Sequence, residues 1–164
     1  IANLKRRSML APDRLKGLSR TELAAFIRPA VYYTVKAQRL KNFLSYFCTE
    51  YKARIRPMAQ RPVQRLRAEL LEVNGIGPET ADSILLYALG KPVFVVDAYT
   101  RRILSRHGFV GGSAGYDEIQ QLFMRSLPSD ARLFNEYHAL LVRLGKEYCR
   151  KKKPRCQECP LHTR

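Results

Sequence analysis

Apolar residues recur at three- and four-residue spacing along most of this chain, which is the pattern of amphipathic helices. The clearest example is residues 36–51, where Leu40, Phe43, Leu44 and Phe47 repeat with basic residues between them. No second β-like stretch exists to pair with the one short β-branched run, so a sheet has nothing to be built from. The spacing therefore predicts an all-α fold.

Local signals set the bounds of several helices. Ser19 and Glu22 form a capping box, in which both side chains satisfy free backbone N–H groups at a helix start. Pro62 suits the first turn of a helix that runs to about residue 73. Further helices are predicted over residues 78–89, closed by Gly90, and over roughly residues 98–107, 116–127 and 131–148.

The β-branched run Val93–Val96 is the one segment that could be a strand. An isolated strand would leave its backbone groups without partners. Asp97, which follows the run, is a good N-cap residue, because its carboxylate can accept from the first free N–H groups of a helix. We therefore do not interpret the run as a strand, and we interpret Asp97 as the N-cap of the helix that follows.

The chain is strongly basic, with 30 Lys and Arg against 14 Asp and Glu and a formal net charge of +16. Such a chain is expected to bind a polyanion, because neutralised phosphates release condensed counterions. Charge alone does not distinguish DNA from RNA or from an anionic membrane surface. Apolar stretches such as residues 92–96 are too short to span a bilayer, and no signal peptide is visible.

Three of the four cysteines, Cys149, Cys156 and Cys159, lie close together near the end of the sequence, while Cys48 stands alone on an apolar helix face. This is not the distribution of a secreted disulfide framework, and it favours a reducing compartment and a bound metal. One candidate is a zinc site in which His162 joins the three cysteines as a ligand. Another is a disordered loop of free thiols that holds no metal. We expect an intracellular protein, in the bacterial or archaeal cytoplasm or wherever the DNA is.

Residues 71–81 carry a glycine-rich turn between two predicted helices. Gly75 and Gly77 allow positive φ and close approach of a phosphate, and the apolar Val73 and Ile76 can lock the turn. Pro78 begins the second helix, whose free N–H groups and positive dipole end face the same place. The stretch predicts a backbone clamp for phosphate, although a bare Gly-x-Gly would also suit an ordinary helical hairpin.

The whole string from residue 71 to 81 closely resembles the helix-hairpin-helix of the endonuclease III family of DNA glycosylases. The resemblance implies two helical lobes with DNA bound across the cleft between them, and a monomer acting on duplex DNA with a damaged base. It places a barrel lobe at 1–91, with the hairpin at 71–89, and a second lobe at 92–164. DNA-binding positions are then Gly75, Ile76, Gly77, Glu79 and Thr80, joined by Lys151, Lys152 and Lys153 near the cysteines.

The same resemblance places the catalytic carboxylate of the family on Asp97. Cleavage of an N-glycosidic bond builds positive charge on the sugar, which a fixed anion stabilises while it orients or deprotonates a water molecule. The alternative is that Asp97 only caps its helix, and one residue can do both. Tyr33, Tyr87 and Tyr99 are candidate base-stacking residues. Tyr137 and His138 are interpreted as residues that pack or hydrogen-bond between the lobes rather than as catalytic residues.

Family members that also cleave the strand carry a lysine two residues after the second glycine, and this amine forms a Schiff base with the sugar. Glu79 occupies that position here, and a carboxylate cannot form an imine. The sequence thus resembles the monofunctional 3-methyladenine glycosylases of the family, a match that Asp82 completes. Removal of mismatched thymine or uracil or of oxidised pyrimidines, and non-catalytic DNA binding, stay open, as does an amine from Lys36 or Lys91.

The spacing Cys-x6-Cys-x2-Cys resembles the start of the family's iron–sulfur loop, which implies a [4Fe–4S] cluster held by Cys149, Cys156 and Cys159. The fourth cysteine of that loop is expected just beyond Arg164. A helix that fills the gap left by the flipped base is expected before Ile1. The resemblance therefore leaves open whether these 164 residues alone are active or hold a cluster.

Overall fold

The computed structural model describes residues 1–162, and every regular element within them is helical. The all-α prediction is confirmed. The elements are α1 Ala2–Arg6, α2 Pro12–Gly17, α3 Arg20–Phe26, α4 Tyr33–Tyr51, α5 Ile55–Ala59, α6 Val63–Glu72, α7 Pro78–Ser83, a π-helical segment Ile84–Ala88, α8 Ala98–Arg106, α9 Tyr116–Ser126, α10 Ala131–Glu147 and a 3₁₀ turn Cys156–Glu158.

The chain divides into two compact units, one spanning Ile1–Gly77 and one that begins at Pro78. This division falls inside the hairpin. The predicted lobes, 1–91 and 92–164, stay a prediction. No helix in residues 1–162 combines the length and apolarity needed to cross a membrane.

In the first unit, α2 and α3 pack on the long helix α4. Leu23 and Ala37 are fully buried at the centre of this packing. The capping box at Ser19 forms as predicted, with the Glu22 N–H donating to the Ser19 hydroxyl and the Ser19 N–H donating to the Glu22 carboxylate. Such a cap contributes about 1 kcal/mol to helix stability, and it fixes where α3 begins.

In the second unit, α8 packs closely against α10. Gly145 makes this approach possible, because a Cβ at that position would collide with the Tyr99 ring. The apolar core beneath the two helices is built around Phe94 and Phe134, both fully buried. The Phe94 ring stacks on Phe123 with centroids 3.8 Å apart.

The segment Val93–Val96 is buried but is not a strand, as the sequence predicted. Side chains of α9 bind backbone groups of Phe94 and Val96. Gln120 donates to the Phe94 carbonyl at 2.6 Å, and the Val96 N–H donates to the Tyr116 hydroxyl at 3.4 Å. Buried Asp82 accepts from both Tyr116 and Gln120 at 2.8 Å. This network fixes the residues that lead into Asp97.

Candidate active site

Asp97 caps α8 with one of its two carboxylate oxygens. Its Oδ1 accepts a hydrogen bond from the Thr100 N–H at 2.7 Å and another from the Thr100 hydroxyl at 2.9 Å. Thr100 itself is fully buried, so the pair of donors is rigidly held. The side chain of Asp97 is 12% exposed. The N-cap prediction is confirmed, and the cap leaves the second oxygen, Oδ2, for another partner.

That second oxygen faces a histidine from α10. The Nε2 atom of His138 lies 3.7 Å from Asp97 Oδ2, too far for a normal hydrogen bond. Nε2 is buried and has no hydrogen-bond partner within the described residues. The other ring nitrogen, Nδ1, lies 2.5 Å from the Tyr87 hydroxyl. Burial lowers the pKa of His138, and the charge of Asp97 opposes this only in part.

Glu79 and Tyr87 belong to the same electrostatic environment. Although Glu79 is an exposed residue, partial burial of its carboxyl group and then the charge of Asp97 raise its pKa. Burial, followed by the charges of Asp97 and Glu79, likewise raises the pKa of Tyr87. The second unit thus gathers four titratable groups, from α7, the π-helical segment, α8 and α10. Perturbed pKa values of this kind are typical of functional sites.

The sequence predicts that His138 packs or forms hydrogen bonds, but it does not predict its place beside Asp97. One signal was available in the sequence, because His138 lies four residues after Phe134 and three before Leu141, on the buried face of α10. A titratable residue in that position predicts burial. Its partners, Asp97 and Tyr87, lie on elements far away in the sequence, so no spacing could reveal them.

The two glycines of the turn differ in backbone conformation and in the space that a side chain would have. Gly75 has φ +93°, and a Cβ there would collide with the side chain of Arg39. Gly77 has ordinary φ, and a Cβ there would meet nothing within 4 Å. Gly75 is therefore required by the fold, while Gly77 leaves open space in front of the backbone. The expectation of positive φ at both glycines holds only at Gly75.

The turn is locked from inside the first unit. The Ile76 N–H donates to the Val73 carbonyl at 2.9 Å, and both side chains are buried. Asn42 on α4 donates to the Asn74 carbonyl at 2.9 Å. The N–H group of Ile76 is thus already engaged in the turn, and its side chain acts as the predicted apolar lock.

The next residues, Pro78, Glu79 and Thr80, form the exposed first turn of α7. Asp82, one turn further, is fully buried and bonded to α9, so it supports the fold rather than facing a ligand. The DNA-binding roles of Gly75, Ile76, Gly77, Glu79 and Thr80 stay predictions.

The three clustered cysteines line one cavity. Its volume is about 220 Å³, and Cys149, Cys156, Cys159 and His162 all border it. Cys149 is buried, and its Sγ accepts from Arg106 Nη1 at 3.4 Å. Within residues 1–162, no three His, Cys, Asp or Glu side chains converge closely enough to hold a single metal ion. Thiols around one cavity suit the donor set of an iron–sulfur cluster, and their role as ligands stays a prediction.

Two arginines of α8 anchor the start of this cysteine loop. Arg102 donates to the carbonyls of Cys149 at 2.7 Å and of Gly145 at 3.0 Å. Arg106 donates to the carbonyls of Arg150 at 2.7 Å and of Lys151 at 3.1 Å. The helix that Asp97 caps therefore also orders the loop. Lys151, Lys152 and Lys153 are exposed on that loop.

The three candidate stacking tyrosines differ in how their rings are engaged. Tyr33 packs on the core of the first unit. The ring of Tyr99 lies against α10 and under the Arg102 guanidinium, 5.0 Å from its centroid. Tyr87 is 46% exposed, although its hydroxyl is bonded to His138. Only Tyr87 of the three combines a free ring face with a place in the titratable cluster.

Known proteins resemble this chain over most of its length. The sequence pattern of HhH-GPD superfamily base excision DNA repair proteins matches residues 1–129. A Methanocaldococcus jannaschii protein described as a DNA repair glycosylase is 45% identical over 163 residues, which are 98% of this chain and 73% of that protein. Endonuclease III of Sulfolobus acidocaldarius is 32% identical over 150 residues, 92% of this chain and 64% of its own length.

Among solved structures, the 3-methyladenine DNA glycosylase of H. pylori bound to 1,N6-ethenoadenine superposes with a TM-score of 0.75 at 26% identity. The match covers 89% of this chain and 74% of that one. The chain therefore belongs to the HhH-GPD superfamily of base excision DNA repair proteins and, within it, to the DNA glycosylases related to endonuclease III.

Proposed function

We propose that the protein is a monofunctional DNA N-glycosylase that removes an alkylated purine such as 3-methyladenine. The proposal rests on one observation, that the group near Asp97 at the key position is a carboxyl group and not an amine. A carboxyl group, Glu79, occupies the position where strand-cleaving relatives need an amine, and it lies close enough to Asp97 for the two charges to interact. Without an amine to attack the sugar, water is the nucleophile and the product is an intact abasic strand.

Asp97 can supply the charge that this reaction needs. As the bond between base and sugar breaks, positive charge grows on the sugar, and a fixed anion stabilises it. Thr100 fixes Oδ1 with two hydrogen bonds, so the side chain needs no reorganisation during the reaction. Oδ2 is the oxygen left to orient a water molecule or to take its proton.

An alkylated purine suits this site on electrostatic grounds. A 3-methylated adenine in DNA carries positive charge, which makes the base a good leaving group and attracts it to a site with two carboxyl groups. Asp97 and Glu79 provide that negative charge. The likeness to the H. pylori 3-methyladenine glycosylase agrees with this substrate class. Before the bond can be reached, the damaged nucleotide has to be extruded from the helix.

The hairpin and the loop lysines are proposed to hold the duplex. The open backbone at Gly77 and the exposed first turn of α7 offer N–H groups to a phosphate, and such contacts carry no sequence information. Cys149, Cys156 and Cys159 would hold three corners of a [4Fe–4S] cluster, which would tie the cysteine loop together when bound.

A second candidate is the removal of mismatched thymine or uracil, or of oxidised pyrimidines. Its thymine or uracil form is favoured by the likeness to a thymine/uracil-DNA glycosylase of Pyrobaculum aerophilum, which is 29% identical over 92% of this chain. A panel of duplexes, each with one lesion and one labelled strand, distinguishes the two. We expect the full-length protein to give strand breaks only in the duplex with the alkylated purine, and only after alkali. The Asp97→Asn variant on the same panel controls for contaminating enzymes.

Borohydride trapping tests the nucleophile. A Schiff base between a lysine and the sugar would be reduced to a permanent protein–DNA crosslink. We expect no crosslink, because Glu79 offers no amine. Efficient trapping together with strand breaks before alkali would show that another lysine acts, with Lys36 and Lys91 the first to replace, and would contradict the monofunctional assignment.

A further inference from the structure

We infer that Tyr87 and His138 are positioning residues for Asp97, with Tyr87 fixing the tautomer of His138 so that the imidazole presents Nε2–H to Asp97 Oδ2. The inference rests on the proposed glycosylase function and deepens it. It is carried by two contacts of one buried ring, 2.5 Å from the Tyr87 hydroxyl to Nδ1 and 3.7 Å from Nε2 to Asp97 Oδ2.

The chemistry of the three groups fixes which atoms donate and which accept along the series Tyr87, His138 and Asp97. A phenol is a better donor than acceptor towards a neutral imidazole, so the Tyr87 O–H donates to Nδ1. The proton of the neutral ring is then on Nε2. That atom is buried without a hydrogen-bond partner in residues 1–162, and the Asp97 carboxylate lies 3.7 Å from it. A buried donor without a partner costs about 1–3 kcal/mol, so the ring is held there for a reason other than stability.

The position of Tyr87 supports the same conclusion. Tyr87 lies on the π-helical segment Ile84–Ala88, a rare local structure that is frequent at functional sites. The widened turn follows directly on α7, which carries Glu79. The ring of Phe94 packs edge-on against the ring of His138, with the two ring centroids 6.4 Å apart. The geometry therefore orients the imidazole from two sides and leaves Nε2 aimed at Asp97.

A neutral imidazole is useful to Asp97 in a way that a cation is not. A neutral N–H can orient Oδ2, and the 3.7 Å gap can close when charge develops on the sugar, while the carboxylate keeps its full negative charge. A protonated His138 would form an ion pair with Asp97 and cancel that charge. The titratable groups that surround His138 are Asp97 on α8, Tyr87 on the π-helical segment and, beyond them, Glu79 on α7.

The pH dependence follows from these groups. The pKa of His138 is lowered, so the ring is neutral at neutral pH and gains a proton only as the pH falls below the ordinary histidine range of about 6.5. We therefore expect base excision to lose rate on the acid side as His138 becomes charged. In His138→Gln, which keeps an N–H donor near the position of Nε2 but cannot become charged, this contribution to the acid limb should disappear.

Single-turnover excision by the full-length protein at saturating DNA tests the inference. We expect Tyr87→Phe and His138→Leu to lower the excision rate constant by roughly 10- to 100-fold, the size expected for loss of one hydrogen bond to a charged group, with unchanged DNA affinity. His138→Gln should recover most of the rate. Tyr137→Phe is the matched control, because it removes a hydroxyl from the neighbouring residue, whose ring packs on Phe123.

Two results would overturn the inference. One is a folded His138→Leu protein that excises at the parent rate. The other is a His138→Gln protein that is as slow as His138→Leu and keeps the parent pH profile, which would reduce His138 to a packing role. Thermal unfolding of each variant identifies any that simply fails to fold, and Tyr87→Phe, which removes one atom, keeps the test open in that case.

A measurement without DNA separates this inference from the proposed function. The ¹⁵N shifts of the imidazoles report tautomers, and the chain has only three histidines, so comparison with His138→Gln assigns the signal. We expect the Nε2–H tautomer in the parent and a mixed population in Tyr87→Phe. An Nδ1–H tautomer would overturn the inference even if excision is observed. The expected tautomer in a protein that excises nothing would support the geometry and count against the glycosylase proposal alone.

Discussion

The two oxygens of the Asp97 carboxylate have separate surroundings. Oδ1 is bound by the N–H and hydroxyl of Thr100, and Oδ2 lies 3.7 Å from the imidazole Nε2 of His138. A carboxylate used only as a cap would not need a buried histidine on its other side. The structure thus combines the cap with a second environment that suits charge stabilisation.

This separation predicts the effect of Asp97→Asn. The asparagine oxygen can still accept from Thr100, and Asn is as good an N-cap residue as Asp, so stability should change by less than about 0.5 kcal/mol. The negative charge is lost, and we expect the excision rate to fall by at least about 100-fold while duplex affinity stays close to that of the parent. Single-turnover excision, DNA titration and thermal unfolding measure the three quantities.

Asp130→Asn is the matched control for that variant. Asp130 caps α10 in the same way, accepting from the Leu133 N–H at 2.8 Å, but it is exposed. We expect it to change neither excision nor binding. If Asp97→Asn excises as fast as Asp130→Asn, the catalytic assignment fails.

The N-cap role of Asp97 was predictable from sequence, whereas the contact between Tyr87 and His138 beside it was not, although both residues were candidates. Capping is a short-range event, visible as an aspartate that precedes a helical pattern. The contact between Tyr87 and His138 joins residues 51 positions apart. It depends on how α10 packs against the π-helical segment and against α8, and the close approach of α8 depends in turn on Gly145 lying under the Tyr99 ring. Such packing details are not encoded in periodicity.

At the scale of elements, the hairpin shows two glycines with different tasks. Gly75 is needed by the fold, because φ +93° and the proximity of Arg39 both exclude a side chain. Gly77 has neither constraint, and its open side is free for a ligand. We therefore expect Gly75 to serve folding and Gly77 to serve binding.

Substitution of each glycine tests this separation. Gly75→Ala should lower the free energy of unfolding by about 1–2 kcal/mol, since Ala is disfavoured at positive φ. Gly77→Leu should leave stability nearly unchanged but weaken duplex binding roughly tenfold, about 1.4 kcal/mol, whatever the sequence. Denaturant unfolding and titration with two unrelated duplexes measure both effects.

Gly17→Leu is the control, because Gly17 also has open space around it and lies outside the hairpin. A loss of affinity at Gly77 that is confined to one of the duplexes, or is equalled at Gly17, would argue against a phosphate clamp.

Helix positions were largely predictable, and helix details were not. The bounds of α6, α8, α9 and α10 agree with the sequence pattern to within one or two residues, because Pro, Gly and Asp mark their ends. The predicted helix 78–89 has the expected extent, yet its second half is π-helical. No sequence pattern distinguishes a π turn from an α turn, because both bury the same apolar residues. The widened turn depends on tertiary contacts.

At the scale of the whole chain, the net charge of +16 has to be distributed in a way that suits a polyanion. Lys151, Lys152 and Lys153 are exposed side by side on a loop that Arg102 and Arg106 order from below. A basic loop with a fixed backbone can hold its charges at phosphate spacing without a large entropic cost on binding. We therefore expect these three lysines to contribute more to DNA binding than equally charged residues elsewhere.

The salt dependence of affinity tests that expectation. Each phosphate neutralised releases counterions, so log K falls linearly with log salt concentration with a slope of about −0.9 per phosphate. We expect a steep slope for the full-length protein, and replacement of the three lysines by Gln should make it shallower by up to about 2.7.

The matched control replaces Arg125, Arg132 and Lys146 by Gln, since these exposed residues of the second unit carry the same total charge. If only net charge matters, both triple variants change the slope equally, and the loop has no special role. A larger change for the loop variant, on two unrelated duplexes, would place phosphates against the cysteine loop, whereas a salt-independent affinity of the parent would contradict phosphate-based binding altogether.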